Sequence, residues 1–322
     1  METHRVETDD GWTLRLDRYP GDRAVLFVHG MGANHHNFDL NERHSLALYL
    51  HRKGFDCWVV ELRGRGESVR RTPGKEDWQF EDFLHRDMRR VVSFLRERGC
   101  SPVHWIGHSM GGMLGVAFAE CYGQSDLRSL SLFGTPLRFG RKQWMLKLWG
   151  SLVQVHRFVP TLDQEKWGRR LLPLMARNRQ ALQFFLRFLA NPDNVDTETI
   201  LDIFDKLVTN EAPGIILQFS DWVRSGHVRS ADRGFDYTDH LHRMTVPALF
   251  VCGVDDLMAP PRIIARQIDR LGTRRVRQVV LSRKNGYRAD YGHGDLIIGR
   301  HAPDEVYPLI AAWIDEIDAQ AC

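Results

Sequence analysis

Cysteine is scarce in this chain, and no two cysteines stand in a C-x-x-C spacing. The 322 residues include five cysteines, an odd number, at widely separated positions: Cys57, Cys100, Cys121, Cys252 and Cys322. Disulfide frameworks and structural zinc sites use even sets or closely spaced pairs. We therefore expect neither of them, and the pattern favours reduced thiols in a cytoplasmic protein.

A strong charge of one sign is also missing. The chain has 44 lysines and arginines against 41 aspartates and glutamates, which gives a net charge of +3. Surfaces that bind nucleic acid carry a larger and more clustered positive charge. No nucleic-acid partner is expected.

Long apolar runs are the third absence. The first twelve residues, METHRVETDDGW, are polar, whereas a signal peptide needs an apolar core of roughly 7–15 residues. No later apolar run approaches the roughly 20 residues of a membrane-spanning helix. Secretion and membrane insertion are thus not expected, and a cytoplasmic location is predicted.

The most informative stretch present is 103–112, which reads VHWIGHSMGG. Its apolar run stops at Gly107, and the small and apolar residues that follow the serine suit a buried helix. G-x-S-x-G between a strand and a helix is typical of a nucleophile elbow, a sharp turn that exposes a serine hydroxyl. Glycine is expected at Gly107 and Gly111 because side chains there would collide with the strand and the helix. Ser109 is therefore the candidate nucleophile.

Buried strands alternate with helices along most of the chain. Continuous apolar runs predict strands at 24–28, 57–60, 103–106, 129–133, 248–252 and 276–281, after an N-terminal hairpin over 5–19. Apolar spacings of three and four predict helices at 42–53, 78–98, 261–271 and 306–317. This alternation is typical of a mostly parallel sheet that is covered by helices on both faces.

Residues 136–240 interrupt the alternation. They carry no strand signal, and prolines at positions 160, 173, 192 and 213 separate segments with helical periodicity. The predicted helical segments are 145–152, 182–189, 200–207 and 215–223. We interpret them as an all-helical cap inserted into a core that is formed by residues 1–135 and 241–322.

Two loops late in the chain supply partners for the serine. A serine hydroxyl is a weak nucleophile at neutral pH and needs a histidine base that a carboxylate orients. In an open α/β sheet such groups stand at the carboxyl ends of the strands. Asp255 and Asp256 follow the strand at 248–252, and His293 follows the last strand. The order serine, acid, histidine predicts a catalytic triad in which only one of the two aspartates can face the histidine.

Five segments of the chain resemble the α/β-hydrolase superfamily. They are His29-Gly30-Met31, the RGRGES loop at 63–68, the elbow, the acid loop from Gly253 to Pro260, and YGHGDLIIG at 291–299. The last segment is similar to the serine esterase and lipase branch. The resemblance implies an α/β-hydrolase fold with a mostly parallel eight-stranded sheet flanked by helices. Its spacing favours Asp256 as the triad acid.

The same resemblance assigns the oxyanion hole. It implies that the backbone N–H groups of Met31 and Met110 bind the charge that develops on the acyl oxygen. His29, Gly30 and the two elbow glycines would support these loops. Relatives that synthesise polyhydroxyalkanoates use cysteine at the elbow, so serine at this position favours hydrolysis.

These residues predict a serine hydrolase that cleaves small-molecule carboxylic esters through an acyl-enzyme. No cofactor or metal is expected, because His35 and His36 have no third ligand at a suitable spacing. A thioesterase or an acyltransferase would use the same atoms, and a catalytically silent ligand-binding protein is the alternative from another class. The sequence does not specify the oligomeric state.

The predicted cap helices suggest which esters are preferred. They are apolar over a wider arc than one buried stripe requires, with Trp144, Leu146, Phe184 and Phe188 beside the main stripes. Such helices are buried on two sides. We therefore expect one side to line a pocket for an apolar acyl chain, with packing between cap helices as the alternative.

Overall fold

The structure, a computed structural model, describes residues 1–71, 77–140, 187 and 189–320. Within these ranges the chain forms one nine-stranded sheet. Its strands are β1 (Glu2–Glu7), β2 (Trp12–Tyr19), β3 (Arg23–Val28), β4 (Phe55–Val60), β5 (Val69–Arg70), β6 (Val103–His108), β7 (Leu127–Phe133), β8 (Ala248–Gly253) and β9 (Val276–Leu281). The predicted hairpin and all the predicted buried strands are present.

The sheet is mostly parallel, as expected. Its spatial order is β1-β2-β4-β3-β6-β7-β8-β9, and β5 pairs with β2. β2 runs antiparallel to its neighbours, whereas the strands from β4 to β9 in this order are parallel. The carboxyl ends of these parallel strands therefore share one edge, where ligands bind in open α/β sheets.

Helices cover both faces of the sheet. They are α1 (Leu46–His51), α2 (Phe80–Asp82, Phe83–Met88 and Arg89–Glu97 in continuation), α3 (Met110–Tyr122), α4 (Thr197–Asp202, continued by Ile203–Leu207), α5 (Pro213–Ser225), α6 (Pro261–Ile268), α7 (Asp295–Ile298), α8 (Ala302–Glu305) and α9 (Tyr307–Ala319). Leu26 and Val28 of β3 share a core with α2, α3 and α5, whereas Val25 and Phe27 share one with α1 and α9. A strand buried on both faces explains the continuous apolar runs. No helix in the described ranges has the length and apolar character needed to cross a bilayer.

The sheet has one strand more than the predicted eight. The additional strand, β5, contains two residues and pairs with Trp12 and Thr13 of β2. So short a segment carries no periodic signal. It forms because the loop after β4 returns along the edge of β2.

The helix predicted over 42–53 is shorter than expected and corresponds to α1. The Asn41 side chain accepts the N–H of His44 (2.9 Å), which holds the preceding residues in a turn. The Ser45 hydroxyl then accepts the N–H of Leu48 (2.9 Å) and caps the helix. Bonds between side chains and the backbone therefore override the helical spacing here.

Two other predicted helices also lose residues at their ends. α2 begins at Phe80 because Gln79 and Asp82 form a capping box. α6 ends at Ile268, where the N–H of Leu271 bonds the Ile268 carbonyl in a tighter turn (3.1 Å). The paths of both helices remain as predicted.

Much of the predicted cap lies outside the described residues. This applies to the segment at 145–152, to nearly all of the segment at 182–189, and to the four large apolar residues named above. The division into a core and an inserted cap at 136–240 stays a prediction.

The two later segments of this region are helical, as predicted. α4 with its continuation covers 200–207, and α5 covers 215–223. Phe80 of α2 meets Trp222 of α5 edge to face, with 5.3 Å between ring centroids. The apolar face of α5 is therefore buried against a core helix.

Candidate active site

Ser109 stands in a strained turn between β6 and α3. Its backbone angles are φ 51° and ψ −115°, which residues with side chains rarely adopt. The N–H of Ser109 donates to the carbonyl of Phe133 at the end of β7 (2.8 Å). The Ser109 carbonyl accepts the N–H groups of Gly112 and Met113 (3.1 Å each), which begins α3. This strand-turn-helix arrangement is that of a nucleophile elbow.

The two elbow glycines meet a steric requirement. A Cβ at Gly107 would overlap the backbone of Gly111 and Gly112, and a Cβ at Gly111 would overlap the carbonyl of Val28. Any side chain at either position would force α3 away from the sheet. Glycine therefore allows the close approach that the turn needs.

The acid loop after β8 meets the loop that carries His293. His293 Nδ1 lies 2.8 Å from Asp256 Oδ2. The other carboxylate oxygen of Asp256 accepts the N–H groups of Met258 and Ala259 (2.8 Å each), and the side chain is buried. A carboxylate in this position keeps a proton on Nδ1 and leaves Nε2 to act as a base. Asp255 is exposed and does not share this arrangement.

Gly134, at the end of β7, lies directly behind this pair. A Cβ there would lie 2.9 Å from both Asp256 Oδ2 and His293 Nδ1. The His293 ring lies 4.8 Å, between centroids, from the ring of His108, the residue before Ser109. The fold thus brings the predicted serine, acid and histidine to one edge of the sheet.

The loop after β3 lies against the elbow. A Cβ at Gly30 would lie 3.4 Å from Ser109 Cβ. Within the described ranges, the N–H of Met31 donates no hydrogen bond. Met110 is the first residue of α3, where N–H groups lack helical partners. Two backbone donors beside a serine, free of hydrogen bonds to the part of the chain that the structure describes, suit the binding of a developing oxyanion.

His29 orients the peptide that carries the Met31 N–H. Its Nε2 accepts the N–H of Leu62 (3.2 Å), so the proton lies on Nδ1, which donates to the Gly30 carbonyl (2.9 Å). Burial lowers the pKa of His29 to about 3, so the ring stays neutral at neutral pH. The Gly30 carbonyl and the Met31 N–H belong to one trans peptide and point in opposite directions. Fixing the carbonyl therefore aims the N–H.

Asn37 is a supporting residue that sequence reasoning missed. Its side-chain oxygen accepts the Gly30 N–H (3.0 Å) and faces His108 Nδ1 (3.0 Å). His108 Nε2 faces the His293 carbonyl (3.3 Å). Burial, with the neighbouring His293, holds the pKa of His108 well below its usual value, so the ring donates one proton only. No motif in the local sequence marks Asn37, and its contact with His108 joins residues 71 positions apart.

The loop at 63–68 serves as scaffold. The Arg63 guanidinium donates to Asp87 (2.6 and 2.9 Å) and to Asp10 (2.7 Å). Burial raises the pKa of Asp87 to about 6, even though the charge of Arg63 opposes this shift. The Ser68 hydroxyl donates to the Glu61 carbonyl (2.7 Å). These bonds set the path of the chain from β4 to β5.

Asp295 links the predicted cap to the histidine loop. One carboxylate oxygen accepts the N–H groups of Asn191 (3.0 Å) and Gly292 (2.9 Å), and the other accepts the Asn194 side chain (2.9 Å). Burial raises the pKa of Asp295 to about 6. Residues 191–194, within the predicted cap, are therefore bonded to a residue two positions after His293.

The adjacent histidines His35 and His36 bind different partners. His35 Nδ1 bonds the buried carboxylate of Glu61, and His36 Nδ1 bonds the Asp39 carbonyl (2.9 Å). The two ring centroids lie 3.9 Å apart, with the ring planes tilted by 37°. Their contacts are those of a polar network beside the loop after β3.

One group of possible metal ligands occurs in the described ranges, formed by His227, Asp236 and Asp239. Arg229 donates to Asp236 (2.9 Å), and Arg270 donates to Asp239 (3.3 Å). Each carboxylate therefore already bonds a guanidinium. Ion pairs at the surface therefore explain why these three side chains lie together.

Known proteins similar to this chain include lipases and esterases. Gastric triacylglycerol lipase from Rattus norvegicus is 26% identical over 372 residues, with 98% of this chain and 88% of the lipase covered. The same lipase from Homo sapiens is 25% identical over 364 residues, at the same coverage. Among solved structures, an esterase from Exiguobacterium antarcticum superposes with a TM-score of 0.64 at 17% identity, over 98% of this chain and 100% of the esterase.

A family match agrees with this fold and with the contact between Asp256 and His293. The sequence model of the alpha/beta hydrolase family matches residues 25–309, which include the elbow, the acid loop and the histidine loop. The chain belongs to the alpha/beta hydrolase family.

Proposed function

We propose that this protein is a carboxylic ester hydrolase in which Ser109 is the nucleophile, His293 the base and Asp256 the orienting acid. The observation that carries the proposal is the 2.8 Å contact between His293 Nδ1 and Asp256 Oδ2, beside a serine in a strained turn. The relationship to lipases and esterases over nearly the whole chain supports ester hydrolysis.

In the proposed acylation step, these groups act together. His293 Nε2 removes the Ser109 proton as the hydroxyl oxygen attacks the ester carbonyl carbon. Asp256 stabilises the imidazolium that forms, and its own charge is held by two backbone N–H groups. The N–H groups of Met31 and Met110 bind the oxygen that becomes negative. The imidazolium then returns the proton to the leaving alcohol, which leaves an acyl-enzyme.

Deacylation repeats the sequence with water. His293 removes a proton from water, the hydroxide attacks the acyl carbon, and the proton passes to Ser109 Oγ as the acid leaves. A thiol ester would react by the same steps, and an alcohol in place of water would make the reaction an acyl transfer. The apolar acyl preference inferred from the predicted cap is part of this proposal.

A fluorophosphonate probe tests the nucleophile. Such probes phosphonylate serines that an adjacent base activates. We expect intact-mass analysis to find one adduct on the wild-type protein, peptide mapping to place it on Ser109, and Ser109→Ala to abolish it. Ser93→Ala, which changes a serine on the outer side of α2 that bonds Glu97, is the matched control and should label like the wild type.

The same protein preparations separate the candidate functions. Hydrolysis of p-nitrophenyl esters that is lost in Ser109→Ala supports the esterase. Transfer of the acyl group to an added alcohol at the expense of hydrolysis would favour the acyltransferase, and faster cleavage of acyl thioesters would favour the thioesterase. Binding of esters without labelling or turnover would make the protein a silent ligand-binding member.

A further inference from the structure

Gly32 is held on both sides by a segment far away in sequence. Its N–H donates to Glu211 Oε2 (3.0 Å), and its carbonyl accepts the N–H of Thr209 (2.9 Å). A further bond joins the Asn34 side chain to the Lys206 carbonyl (2.7 Å). The loop after β3 is therefore bonded to the end of α4 and to the residues that connect α4 with α5, inside the predicted cap.

Glu211 is built into this junction as a buried charge. The Arg65 guanidinium bonds its other carboxylate oxygen, which also accepts the N–H of Ala212 (2.9 Å). Both charged side chains are almost fully buried. A buried ion pair offsets its desolvation only when its geometry is good and its remaining bonds are satisfied. Each oxygen of Glu211 has a donor, and the bond to Gly32 is the one that reaches the loop after β3.

Gly32 needs such a partner because, without a side chain, its backbone torsion angles are only weakly restrained. Its φ is +65°, and glycine adopts positive and negative φ with similar ease. Without a bond to its N–H, the peptide between Met31 and Gly32 is free to rotate. Charge-assisted bonds to backbone N–H groups are about twice as strong as neutral ones, so a carboxylate suits this task.

The two peptides around Met31 are thus fixed by different parts of the fold. His29 holds the Gly30 carbonyl, and with it the peptide that contains the Met31 N–H. Glu211 holds the following peptide through Gly32. Together they determine where Met31 stands relative to Ser109.

We propose that Glu211 is a positioning residue for the oxyanion hole, which makes the geometry of the hole depend on the predicted cap. The inference rests on the proposed function, since it assigns the Met31 N–H to the oxyanion. It differs from that function because Glu211 touches no reacting atom. Its removal should weaken transition-state binding and leave ground-state ester binding nearly unchanged.

The test compares Glu211→Gln and Glu211→Ala with the wild type. Gln keeps an acceptor oxygen for Gly32 but removes the charge, whereas Ala removes both. Loss of one oxyanion donor costs roughly 10²–10³-fold in kcat, so we expect a displaced donor to cost about 10- to 100-fold in the Ala variant. The loss in Gln should be smaller, and KM should stay near the wild-type value in both variants. Glu198→Gln and Glu198→Ala, at an exposed position of α4, are matched controls that should retain full kcat.

The affinity for an alkyl boronic acid provides a second measurement, which a merely structural role of Glu211 would not change. Boronates form a tetrahedral serine adduct with an oxygen in the oxyanion hole, so their affinity should fall by the same factor as kcat. Affinity for the alcohol product, which makes no such adduct, should not fall. Melting temperatures show whether each variant is folded. If the Glu211→Ala variant does not fold, the comparison of the Glu211→Gln variant with the wild type tests the inference.

The outcomes distinguish the inference from the proposed function. An active wild type whose folded Glu211 variants keep kcat and boronate affinity would overturn the inference alone. So would a loss confined to KM. A wild type that neither turns over esters nor labels at Ser109 would overturn the proposed function, and the inference with it.

Discussion

The neighbouring residues Asp255 and Asp256 have different environments. Asp256 is buried, bonds His293 and accepts two backbone N–H groups. Asp255 is exposed, and its N–H donates to the Tyr291 carbonyl (2.9 Å). The surrounding protein removes part of the hydration of its carboxylate, which raises the pKa of Asp255, and the nearby charge of Asp290 adds to this shift. Of the two aspartates, Asp256 has the contact that a triad acid requires.

Replacing these two aspartates separates their roles. Asp256→Asn should lower kcat by orders of magnitude, roughly 10⁴-fold as in a serine protease, because the imidazole loses its orienting carboxylate. Asp255→Asn should change kcat little, because its side chain touches neither His293 nor Ser109. Steady-state kinetics with p-nitrophenyl butyrate measures both, and Asp255→Asn serves as the isosteric control. Equal losses, or a larger loss at Asp255, would show that the triad acid is misassigned.

The site residues differ in how far the sequence alone identifies them. Ser109 is identified by a local pattern, because the strained turn requires glycines on both sides. The choice between Asp255 and Asp256 depends on family spacing, since both follow the same strand. Asn37 and Glu211 carry no signal, because each acts on backbone groups that only the folded chain brings near.

Among the elements, α3 is the helix that the site depends on. Its residues are buried from Met110 to Glu120, as expected of a helix that packs under the edge of the sheet. Glu120 is the exception to its apolar character, and within the described ranges neither carboxylate oxygen has a hydrogen-bond partner. The side chain lines a small cavity with Phe80, Leu137 and Tyr237. Burial raises the pKa of Glu120 to about 9.

This burial predicts a pH dependence of stability. The folded protein keeps a proton on Glu120 that the unfolded chain releases above about pH 4.5. The unfolded state therefore binds fewer protons, and the free energy of unfolding falls as pH rises from about 4.5 to about 9, by up to about 1.4 kcal/mol per pH unit. Glu120→Gln should remove this slope and stabilise the protein at pH 8. Urea unfolding between pH 5 and 9 measures the effect.

The control for this experiment is Glu97→Gln at the exposed end of α2, where Glu97 pairs with Arg90. The control should follow the wild-type pH dependence, because an exposed pair contributes little. A Glu120→Gln slope equal to that of the wild type would mean that Glu120 is ionised, and therefore partnered, in the folded protein.

At the scale of the whole molecule, the candidate active site lies where the predicted cap meets the sheet. Asp295 bonds the cap side to the histidine loop, and Glu211 bonds it to the loop after β3. The Gly294 N–H also donates to the Leu189 carbonyl (2.7 Å). Chain segments that are distant in sequence therefore hold the loops of the proposed base and the proposed oxyanion donors.

The predicted cap should also determine acyl-chain preference. If its apolar helices line the pocket over Ser109, each added methylene should contribute up to about 0.8 kcal/mol of binding until the pocket is full. We expect kcat/KM to rise several-fold per two carbons and then reach a plateau. A series of p-nitrophenyl esters from acetyl to octanoyl measures this profile.

The control for the chain-length series is its rate of spontaneous hydrolysis, which corrects for intrinsic reactivity. A flat or falling corrected profile would reject the apolar pocket and would indicate that the cap helices only pack against one another. It would leave the triad unaffected, because the reacting atoms do not depend on the pocket walls.

The sequence by itself determined the features whose signals are local. Strands buried on both faces appear as continuous apolar runs, and the elbow appears as G-x-S-x-G between a strand and a helix. The alternation of strands and helices indicates the parallel sheet, and its carboxyl edge locates the loops that carry Asp256 and His293. These features follow from periodicity and backbone sterics, which act over a few residues.

Only the tertiary structure decided the features that join distant segments. β5 exists because β2 offers it an edge with which to pair. The orientation of the Met31 peptide depends on His29 and on Glu211, whose partner Gly32 lies far away in the sequence. Such contacts form between groups whose spacing along the chain carries no period, so the fold must exist before they can be identified.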